Sequence, residues 1–471
     1  MSIERPHLFR LRRNGALAAF LPSRYWRFLW FSCTLITTLL FLATCSITSA
    51  ADPGTNAASG LSPLLYLHFS LDHADASYAA GEPVTRTIKL TGLNANEHPP
   101  NPTYTVTSGK TEIANGTLNF VDGMVNVTSQ LDKPGVIVLK VNQKTPWRPD
   151  FQCGAAIGWQ QIKSTVPEPQ DFDAFWKKKL EEPAAVPANP VLEPVVDSGS
   201  LDVQLWKITM DNIRGAKIHG YLARPTGAIP LPAQLQVQYW GRDPLKKSEV
   251  VGIAKKGWLA MNIMAHDLPV DGDPAFYKEA DKTGQYNVTS GADDPDKSYF
   301  LSMFLACSRA VDYLAGRSDW NKTTLLVQGG SQGGFQGIAT AALNPKVTTL
   351  TIFVPGGCDQ TGFPEGRPTG WPGWVGGRVT GAEREARIKT VGYYDSDNFA
   401  KRIRCPVLVG TGLIDSIATP IGQFTMFNNL PSPKRLVLMP EDEHISPHVQ
   451  YIAVQAAWWK AAAAGEALPM K

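Results

Sequence analysis

The sequence is poor in the features that would place it in several common protein classes. Positive and negative side chains nearly cancel, at 45 and 42, so neither a basic nucleic-acid-binding surface nor an acidic tail is indicated. Cysteine is scarce, with six residues in 471 and no CxxC pair, so no zinc-knuckle spacing is present. After residue 47, no apolar run is long enough to span a membrane. What remains is the composition of an ordinary globular protein of two or three domains.

The first 51 residues have the pattern of an export signal. Six arginines, among them Arg10, Arg12, Arg13, Arg24 and Arg27, precede an apolar run over residues 28–47, and the small residues SAA follow at 49–51. This order is typical of a secretory signal peptide, and a run of about 20 residues would also span a bilayer if it were left uncleaved. A weak lipoprotein-like site, LATC at 42–45, leads to the same location. All three forms place the protein in the periplasm or outside the cell, with membrane contact only if the segment stays attached.

Four cysteines lie outside this segment, and an exported protein is free to form disulfides. Their wide spacing fits buried free thiols equally well, so the sequence leaves the pairing open. They are Cys153, Cys307, Cys358 and Cys405.

Residues 64–145 predict a small β domain. After a small, polar linker at 52–63, short β-type runs such as YLHFSL, VTRTIKL and GVIVLKV alternate with turn signals, and VDGM has the Asp-Gly signature of a hairpin. No long amphipathic helix interrupts them. The spacing predicts an immunoglobulin-like sandwich, and a proline-marked connector follows at 146–170.

Residues 171–471 predict an α/β domain. The segment DFDAFWKKKLEE has helical spacing, and after Pro225 near-continuous apolar runs alternate with helical stretches. Such runs are typical of parallel strands covered on both faces. Strands alternating with helices predict a doubly wound, mostly parallel sheet.

The stretch LLVQGGSQGGFQG, residues 325–337, indicates the chemistry. Ser331 follows a strand and precedes a helix, and Gly329 and Gly333 complete the G-x-S-x-G pattern of a nucleophile elbow. The serine needs an unfavourable backbone conformation to expose its hydroxyl, and side chains two residues away would collide with the neighbouring strand and helix. A plain glycine-rich turn is the alternative, and the strand–helix context favours the nucleophile.

A nucleophilic serine needs a base, and the base needs an orienting acid. In this fold class the chain order is serine, acid, histidine. Of the two histidines after Ser331, His444 lies in the loop after a strand, whereas His448 opens the last helix as a surface or capping residue. Asp415 follows the preceding strand at its carboxyl end, where catalytic groups collect. Rival acids are Asp359, Glu441, Asp442 and Glu443.

Two backbone amides are predicted to bind the oxyanion. Gln332 is the first residue of the helix after the serine, and Arg242 follows Gly241 in the loop after an early strand. The Arg242 guanidinium would also reach an anionic sugar, unless it is a plain surface arginine.

These residues resemble a known family. The segment from about 165 to 465 resembles the acetyl xylan esterase and cephalosporin C deacetylase family of α/β-hydrolases. The likeness rests on PEPQDFDAFW, on the elbow GGSQGG, on YYDSDNFAKRIRCPVLVGTGLIDSIATP with Asp415 as the acid, and on RLVLMPEDEH with His444 as the base. It implies Gln332 and Arg242 as the oxyanion donors and requires neither metal nor cofactor.

The chain departs from the family at three places. His266 and Asp267 stand where members commonly carry Arg-Gly-Gln, Ile445 stands where a glutamate commonly follows the histidine, and Arg242 stands where an aromatic is frequent. The substrate and the oligomeric state therefore remain open. The segment DQTGFPEGRPTGWPGW, 359–374, predicts a pocket wall in which Trp371 and Trp374 either stack on a sugar ring or pack a lid loop.

The sequence as a whole predicts an exported serine carbohydrate esterase acting on an acetylated polysaccharide or oligosaccharide. A prolyl-oligopeptidase-type peptidase would share the fold and triad but usually needs a propeller, which some 80 residues cannot supply. An uronoyl esterase is a second rival, supported only by Arg242. A non-catalytic cell-surface sugar-binding protein is a rival of another class, and the intact Ser331, Asp415 and His444 disfavour it.

Overall fold

The computed structural model describes residues 66–91, 102–142, 151–227, 230–284 and 286–471. The predicted export signal and linker, residues 1–63, lie outside the described residues. In the described part of the chain, no helix has the length and apolar character needed to cross a membrane.

The described chain forms seventeen strands and nine α-helices. The strands are β1 Tyr66–Leu71, β2 Ser77–Tyr78, β3 Val84–Thr91, β4 Thr103–Ser108, β5 Thr111–Thr117, β6 Met124–Ser129, β7 Gly135–Asn142, β8 Phe151–Ile157, β9 Val191–Pro194, β10 Val203–Asp211, β11 Lys217–Pro225, β12 Leu231–Val237, β13 Leu259–Ile263, β14 Trp320–Gly330, β15 Thr349–Phe353, β16 Val407–Gly412 and β17 Lys434–Met439. The helices are α1 Phe172–Ala184, α2 Lys247–Ala254, α3 Pro274–Lys282, α4 Tyr299–Gly316, α5 Gln332–Leu343, α6 Gly381–Tyr394, α7 Ser396–Ala400, α8 Pro420–Asn429 and α9 Val449–Ala464.

The first eight strands form two sheets with a common core. One sheet has the order β1-β3-β6 and the other β2-β8-β7-β4-β5. Inward-facing residues of both sheets, among them Ile88 and Val127 from the first and Ile137 and Leu139 from the second, belong to one apolar cluster. The β-rich N-terminal region predicted from the sequence is therefore present.

Two details of this region differ from the sequence expectation. The segment predicted as a connector contains β8, which pairs antiparallel with β7. Its sequence FQCGAAI is rich in small residues and lacks the β-branched pattern of a typical strand, so local propensity gave no signal. In the predicted hairpin, Asp122 and Gly123 both have positive φ, as a tight turn requires, and a bridge between Val121 and Met124 closes the turn. This pairing stops at that one bridge, and β6 pairs with β3 instead.

Strands β9 to β17 form one mostly parallel sheet, in the order β17-β16-β15-β14-β12-β13-β11-β10-β9. The pairs from β13 through β17 are parallel, and β9, β10 and β11 extend one side antiparallel. The predicted doubly wound α/β fold is confirmed.

Helices cover both faces of this sheet. Along β14, Leu325 and Val327 join the apolar cluster that contains residues of α1, α4 and α5, whereas Leu326 between them joins the cluster of α2 and α9. Because successive strand side chains point to opposite faces, a continuous apolar run serves both layers. The carboxyl ends of β12, β14, β16 and β17 therefore open at one edge, where their loops lie.

Candidate active site

Ser331 occupies the sharp turn between β14 and α5. Its backbone has φ 56° and ψ −122°, a left-handed conformation that is strained for a residue with a Cβ. Two backbone hydrogen bonds hold it there: the Ser331 amide donates to the Phe353 carbonyl at 3.0 Å, and the Gly356 amide donates to the Ser331 carbonyl at 3.1 Å. Hydrogen bonds to β15 and to the segment that follows it thus stabilise the strained backbone of Ser331.

The flanking glycines are required for the reason the motif suggests. A Cβ on Gly329 would lie 2.3 Å from the Gly333 carbonyl oxygen, and a Cβ on Gly333 would lie 2.6 Å from the Val237 carbonyl oxygen. Both contacts are with backbone atoms, which cannot move aside as a side chain can. The elbow therefore brings α5 directly against the end of β12.

The three residues predicted from the sequence form one hydrogen-bonded chain. His444 Nε2 lies 2.7 Å from Ser331 Oγ, and His444 Nδ1 lies 2.8 Å from Asp415 Oδ2. The carboxylate accepts only, so Nδ1 carries the proton and Nε2 is free to accept from the serine hydroxyl. The Asp415 side chain is fully buried and that of His444 is 12% exposed, so the chain runs from the interior to the surface.

The predicted acid, Asp415, and the predicted base, His444, lie in two different loops. Asp415 follows β16, and its other oxygen accepts from the amides of Ile417 and Ala418 at 2.8 and 2.9 Å, which fixes the carboxylate. His444 follows β17. The loops touch through the backbone, because a Cβ on Gly412 would lie only 2.5 Å from the Asp442 carbonyl oxygen.

Two of the rival acids, Asp359 and Asp442, and the second histidine have other partners. Asp359 is buried, accepts from Thr165 and pairs with Arg367 at 2.6 Å. His448 is buried rather than a surface residue, and its Nδ1 lies 3.1 Å from Asp442 Oδ2.

The predicted oxyanion donors lie on either side of the elbow. Gln332 is the first residue of α5, so its amide has no intrahelical acceptor. Arg242 lies in the loop 238–243 that follows β12, and the Gln336 side chain of α5 donates to the Gln238 carbonyl at 2.8 Å. This hydrogen bond connects the first residue of the loop to the N-terminal half of α5.

The loop 238–243 is held by its own side chains. Gln238 Nε2 donates to the Asp243 carbonyl at 3.0 Å, and the Tyr239 hydroxyl donates to Asp243 Oδ2 at 2.8 Å. The Arg242 side chain is only 12% exposed and pairs with Asp281, so its charge is neutralised within the protein. The expectation that this guanidinium would meet an anionic sugar therefore finds no support.

His266, which sequence reasoning noted only as a departure, also holds this loop. Its Nε2 lies 3.1 Å from the Trp240 carbonyl and its Nδ1 contacts the Tyr299 hydroxyl. A carbonyl can only accept, so Nε2 carries the proton and Nδ1 accepts from the tyrosine. Burial lowers the pKa of His266 to about 4, which keeps the ring neutral. The position of His266 directly after β13 was the only signal in the sequence.

The two tryptophans predicted to stack on a sugar differ in the structure. Trp374 is fully buried, and its indole N–H donates to the Val288 carbonyl at 2.8 Å, so the prediction of sugar stacking is wrong for this residue. It packs against Phe300 instead. Trp371 is half-buried, and its ring contacts Gly356, the residue whose amide binds the Ser331 carbonyl.

The four cysteines among the described residues are buried and unpaired. Within the same residues, no group of three or more histidine, cysteine, aspartate or glutamate side chains is placed to hold a metal ion.

Comparison with known proteins points in one direction. A model of the acetyl xylan esterase family matches residues 158–365 and 376–462. The acetyl esterase Axe7A of Xylanibacter ruminicola is 31% identical over 388 residues, which cover 79% of this chain and 85% of that protein.

Two solved structures have the same fold. An acetyl xylan esterase from Paenibacillus sp. R4 aligns with a TM-score of 0.56 at 23% identity, over 65% of this chain and 98% of that one. Acetyl xylan esterase 1 from Thermoanaerobacterium sp. JW/SL YS485 aligns with a TM-score of 0.55 at 22% identity, over 63% of this chain and 96% of that one.

Proposed function

The chain belongs to the acetyl xylan esterase family of carboxylic-ester hydrolases, and on that premise we propose that it removes acetyl groups from polysaccharides or oligosaccharides with Ser331 as nucleophile. The observation that carries the proposal is the unbroken contact from Ser331 Oγ through His444 to Asp415, at 2.7 and 2.8 Å. Nucleophile, base and orienting acid are then already within hydrogen-bond reach.

The reaction follows from these contacts. His444 Nε2 takes the hydroxyl proton as Ser331 Oγ attacks the acetyl carbonyl, and Asp415 stabilises the charged imidazole. The amides of Gln332 and Arg242 bind the oxyanion of the tetrahedral intermediate. His444 returns the proton to the departing sugar hydroxyl, which leaves an acetyl-serine. A water molecule, deprotonated by His444, then hydrolyses this ester and releases acetate.

The test is acetate release from acetylated xylan, measured beside hydrolysis of p-nitrophenyl acetate. Wild-type protein is expected to cleave both, and Ser331→Ala is expected to lose about three or more decades of turnover if the three residues act as a unit. Gly252→Ala is a matched control, since a Cβ there meets nothing within 4 Å. A folded wild-type protein that cleaves neither substrate, or fails to be labelled at Ser331 by a fluorophosphonate, would refute the proposal.

No observation favours the rival functions. The uronoyl esterase was suggested by a free Arg242 side chain, and that side chain is paired with Asp281. The peptidase would need a propeller, whereas the described β-rich region consists of sheets of three and five strands.

Export and domain division belong to the same proposal. Residues 1–51 would direct the protein out of the cell, the sandwich predicted over 64–145 would be extended by β8, and the esterase domain would begin at 171. N-terminal sequencing of the protein recovered outside the cytoplasm checks the first part: a start near Asp52 is expected for a cleaved signal, and retention in the cytoplasm would contradict export.

A further inference from the structure

An exposed tryptophan stands beside the proposed oxyanion loop. Trp240 is 45% exposed, although an indole usually finds cover in a folded protein. Its position is nevertheless fixed, because the Arg242 guanidinium lies over its ring at 4.8 Å and His266 binds its carbonyl. The guanidinium covers part of the ring, and the remaining exposed aromatic surface is suited to binding a flat, partly apolar partner.

A cavity of about 250 Å³ adjoins this indole. Its walls carry the Arg242–Asp281 ion pair, Tyr286 and Asn287, so it combines an aromatic surface with charged and amide groups. Drug-sized ligand pockets measure roughly 300–1,000 Å³, so this one has room for a single ring rather than a long chain. Val288 also lines the cavity, and its carbonyl accepts a hydrogen bond from the indole N–H of the buried Trp374.

Resting on the proposed esterase function, we propose that this cavity binds the pyranose ring that carries the acetyl group. The sugar's C–H face would stack on Trp240, and its hydroxyls would bond to the Asp281 carboxylate and the Asn287 amide. The cavity and the oxyanion site share Arg242, whose backbone faces the reaction and whose side chain lines the pocket. On this proposal, a sugar held there would present its ester to the Arg242 amide, the proposed oxyanion donor.

The test compares a sugar ester with an ester that has no sugar. For Trp240→Ala, kcat/KM on acetylated xylo-oligosaccharides is expected to fall about tenfold, mainly through KM, which is the size of one aromatic contact. The loss on p-nitrophenyl acetate should be several times smaller, and Trp240→Phe should recover part of the sugar activity. Phe276→Ala removes another exposed ring, outside the cavity, and should change neither activity.

Equal losses on both esters would overturn the pocket and make Trp240 a support of the oxyanion loop. No loss on either ester would overturn it as well. A wild-type protein that cleaves p-nitrophenyl acetate but none of the sugar esters would instead overturn the substrate class, so the two failures are distinguishable.

A separate observation concerns the sandwich. Strand β8 contacts the loops that carry Asp415 and His444. The Gly154 amide donates to the carbonyl of Pro440 at 2.7 Å, and Pro440 lies four residues before His444. A Cβ on Gly154 would lie 2.5 Å from Leu413 Cβ and 3.1 Å from its carbonyl oxygen, two residues before Asp415.

The contact is part of a wider apolar junction. Ala156 and Val136 of the sandwich share a buried cluster with Leu413 and Phe424 of the α/β domain. Asn428 of α8 closes it by donating to the Trp159 and Ile162 carbonyls, both at 2.9 Å. The geometry points to β8 as a positioning element for both loops, with Gly154 as its positioning residue.

Gly154→Ala tests this role, which rests on the proposed triad. The new contact falls 0.9 Å short of the 3.4 Å at which ordinary contact begins, so β8 and the start of the Asp415 loop must move apart. A shift approaching 1 Å is expected to lower kcat about tenfold to hundredfold on p-nitrophenyl acetate, with KM unchanged. The acid limb of the pH–rate profile should also move, because the Asp415–His444 contact is disturbed.

Two further variants keep the test decisive. Ile88→Ala weakens the sandwich core from the other sheet and should lower the melting temperature without changing kcat below the transition. Leu413→Ala loosens the junction without adding atoms and should lower kcat if Gly154→Ala does not fold. Unchanged kcat and pH profile in folded Gly154→Ala, or in Leu413→Ala, would overturn the role. If Asp415→Asn kept full activity, the triad itself would fail instead.

Discussion

One added methyl group can test whether catalysis depends on the close contact between the start of α5, which follows Ser331, and the end of β12, which leads into the loop 238–243. In Gly333→Ala, the new Cβ lies 2.6 Å from the Val237 carbonyl oxygen, and ordinary contact begins at 3.4 Å. The difference, 3.4 minus 2.6, requires the start of α5 and the end of β12 to separate by 0.8 Å. Alanine favours a helix over glycine by about 1 kcal/mol, so the helix itself gains and the strain falls on the contact.

The consequence for catalysis follows from where the donors lie. Gln332 belongs to α5 and Arg242 to the loop after β12, so the same 0.8 Å separates the two proposed oxyanion amides. The hydrogen bond from Gln336 to the Gln238 carbonyl, 2.8 Å in the structure, spans the same gap and would be weakened by the separation. Loss of one oxyanion donor costs on the order of 10²–10³ in kcat, so a fall of about 10² is expected with KM nearly unchanged.

Steady-state kinetics on p-nitrophenyl acetate, with thermal melting to show a folded protein, checks this expectation. Gly337→Ala is the matched control, four residues later in the same helix, where the new Cβ would lie 3.2 Å from the flexible end of Leu350. It should leave kcat within about threefold of wild type, a barrier change below 1 kcal/mol. Equal kcat in the two variants would refute the reasoning.

Two further predictions concern stability. Burial, with the charges of Asp395 and Asp359 beside it, raises the pKa of Asp397, and burial raises the pKa of Asp395 to about 7. Folded-state values above the ordinary 3.8 mean that the folded protein binds more protons between about pH 4 and 7, so the free energy of unfolding should rise as pH falls from 8 to 5. Asp397→Asn should raise the free energy of unfolding at pH 8 and make it depend less on pH, as measured by urea titrations. Asn in place of the exposed Asp293 should change neither quantity. An unchanged pH dependence in Asp397→Asn would contradict a raised pKa at Asp397. Trp374→Ala should cost about 3–5 kcal/mol of unfolding free energy, because it empties a fully buried site. A raised KM with unchanged stability would instead restore Trp374 as a sugar-binding residue.

Much of the α/β domain was predictable because its signals are local. The apolar runs of β14 to β17 must be buried on both faces, so their periodicity alone distinguishes them from surface strands. The stretch YFLSMFLACSRAVDYLAG has helical spacing of its apolar residues and forms α4, Tyr299–Gly316. The glycines at 329 and 333 identify the elbow, because only glycine fits where backbone meets backbone.

Local patterns in the chain were enough to predict the α/β fold and a short list of candidates for nucleophile, acid and base, since chain order and strand ends restrict them strongly. The directions of the side chains depend on the packing of distant segments. Trp371 and Trp374 share one Gly- and Pro-rich segment, yet one is half-exposed and the other enclosed, because distant residues such as Phe300 form the enclosure. The pairing of Arg242 with Asp281 and the docking of β8 on the acid loop are contacts between segments far apart in the chain. No local pattern records such contacts, because they depend on how the whole chain packs.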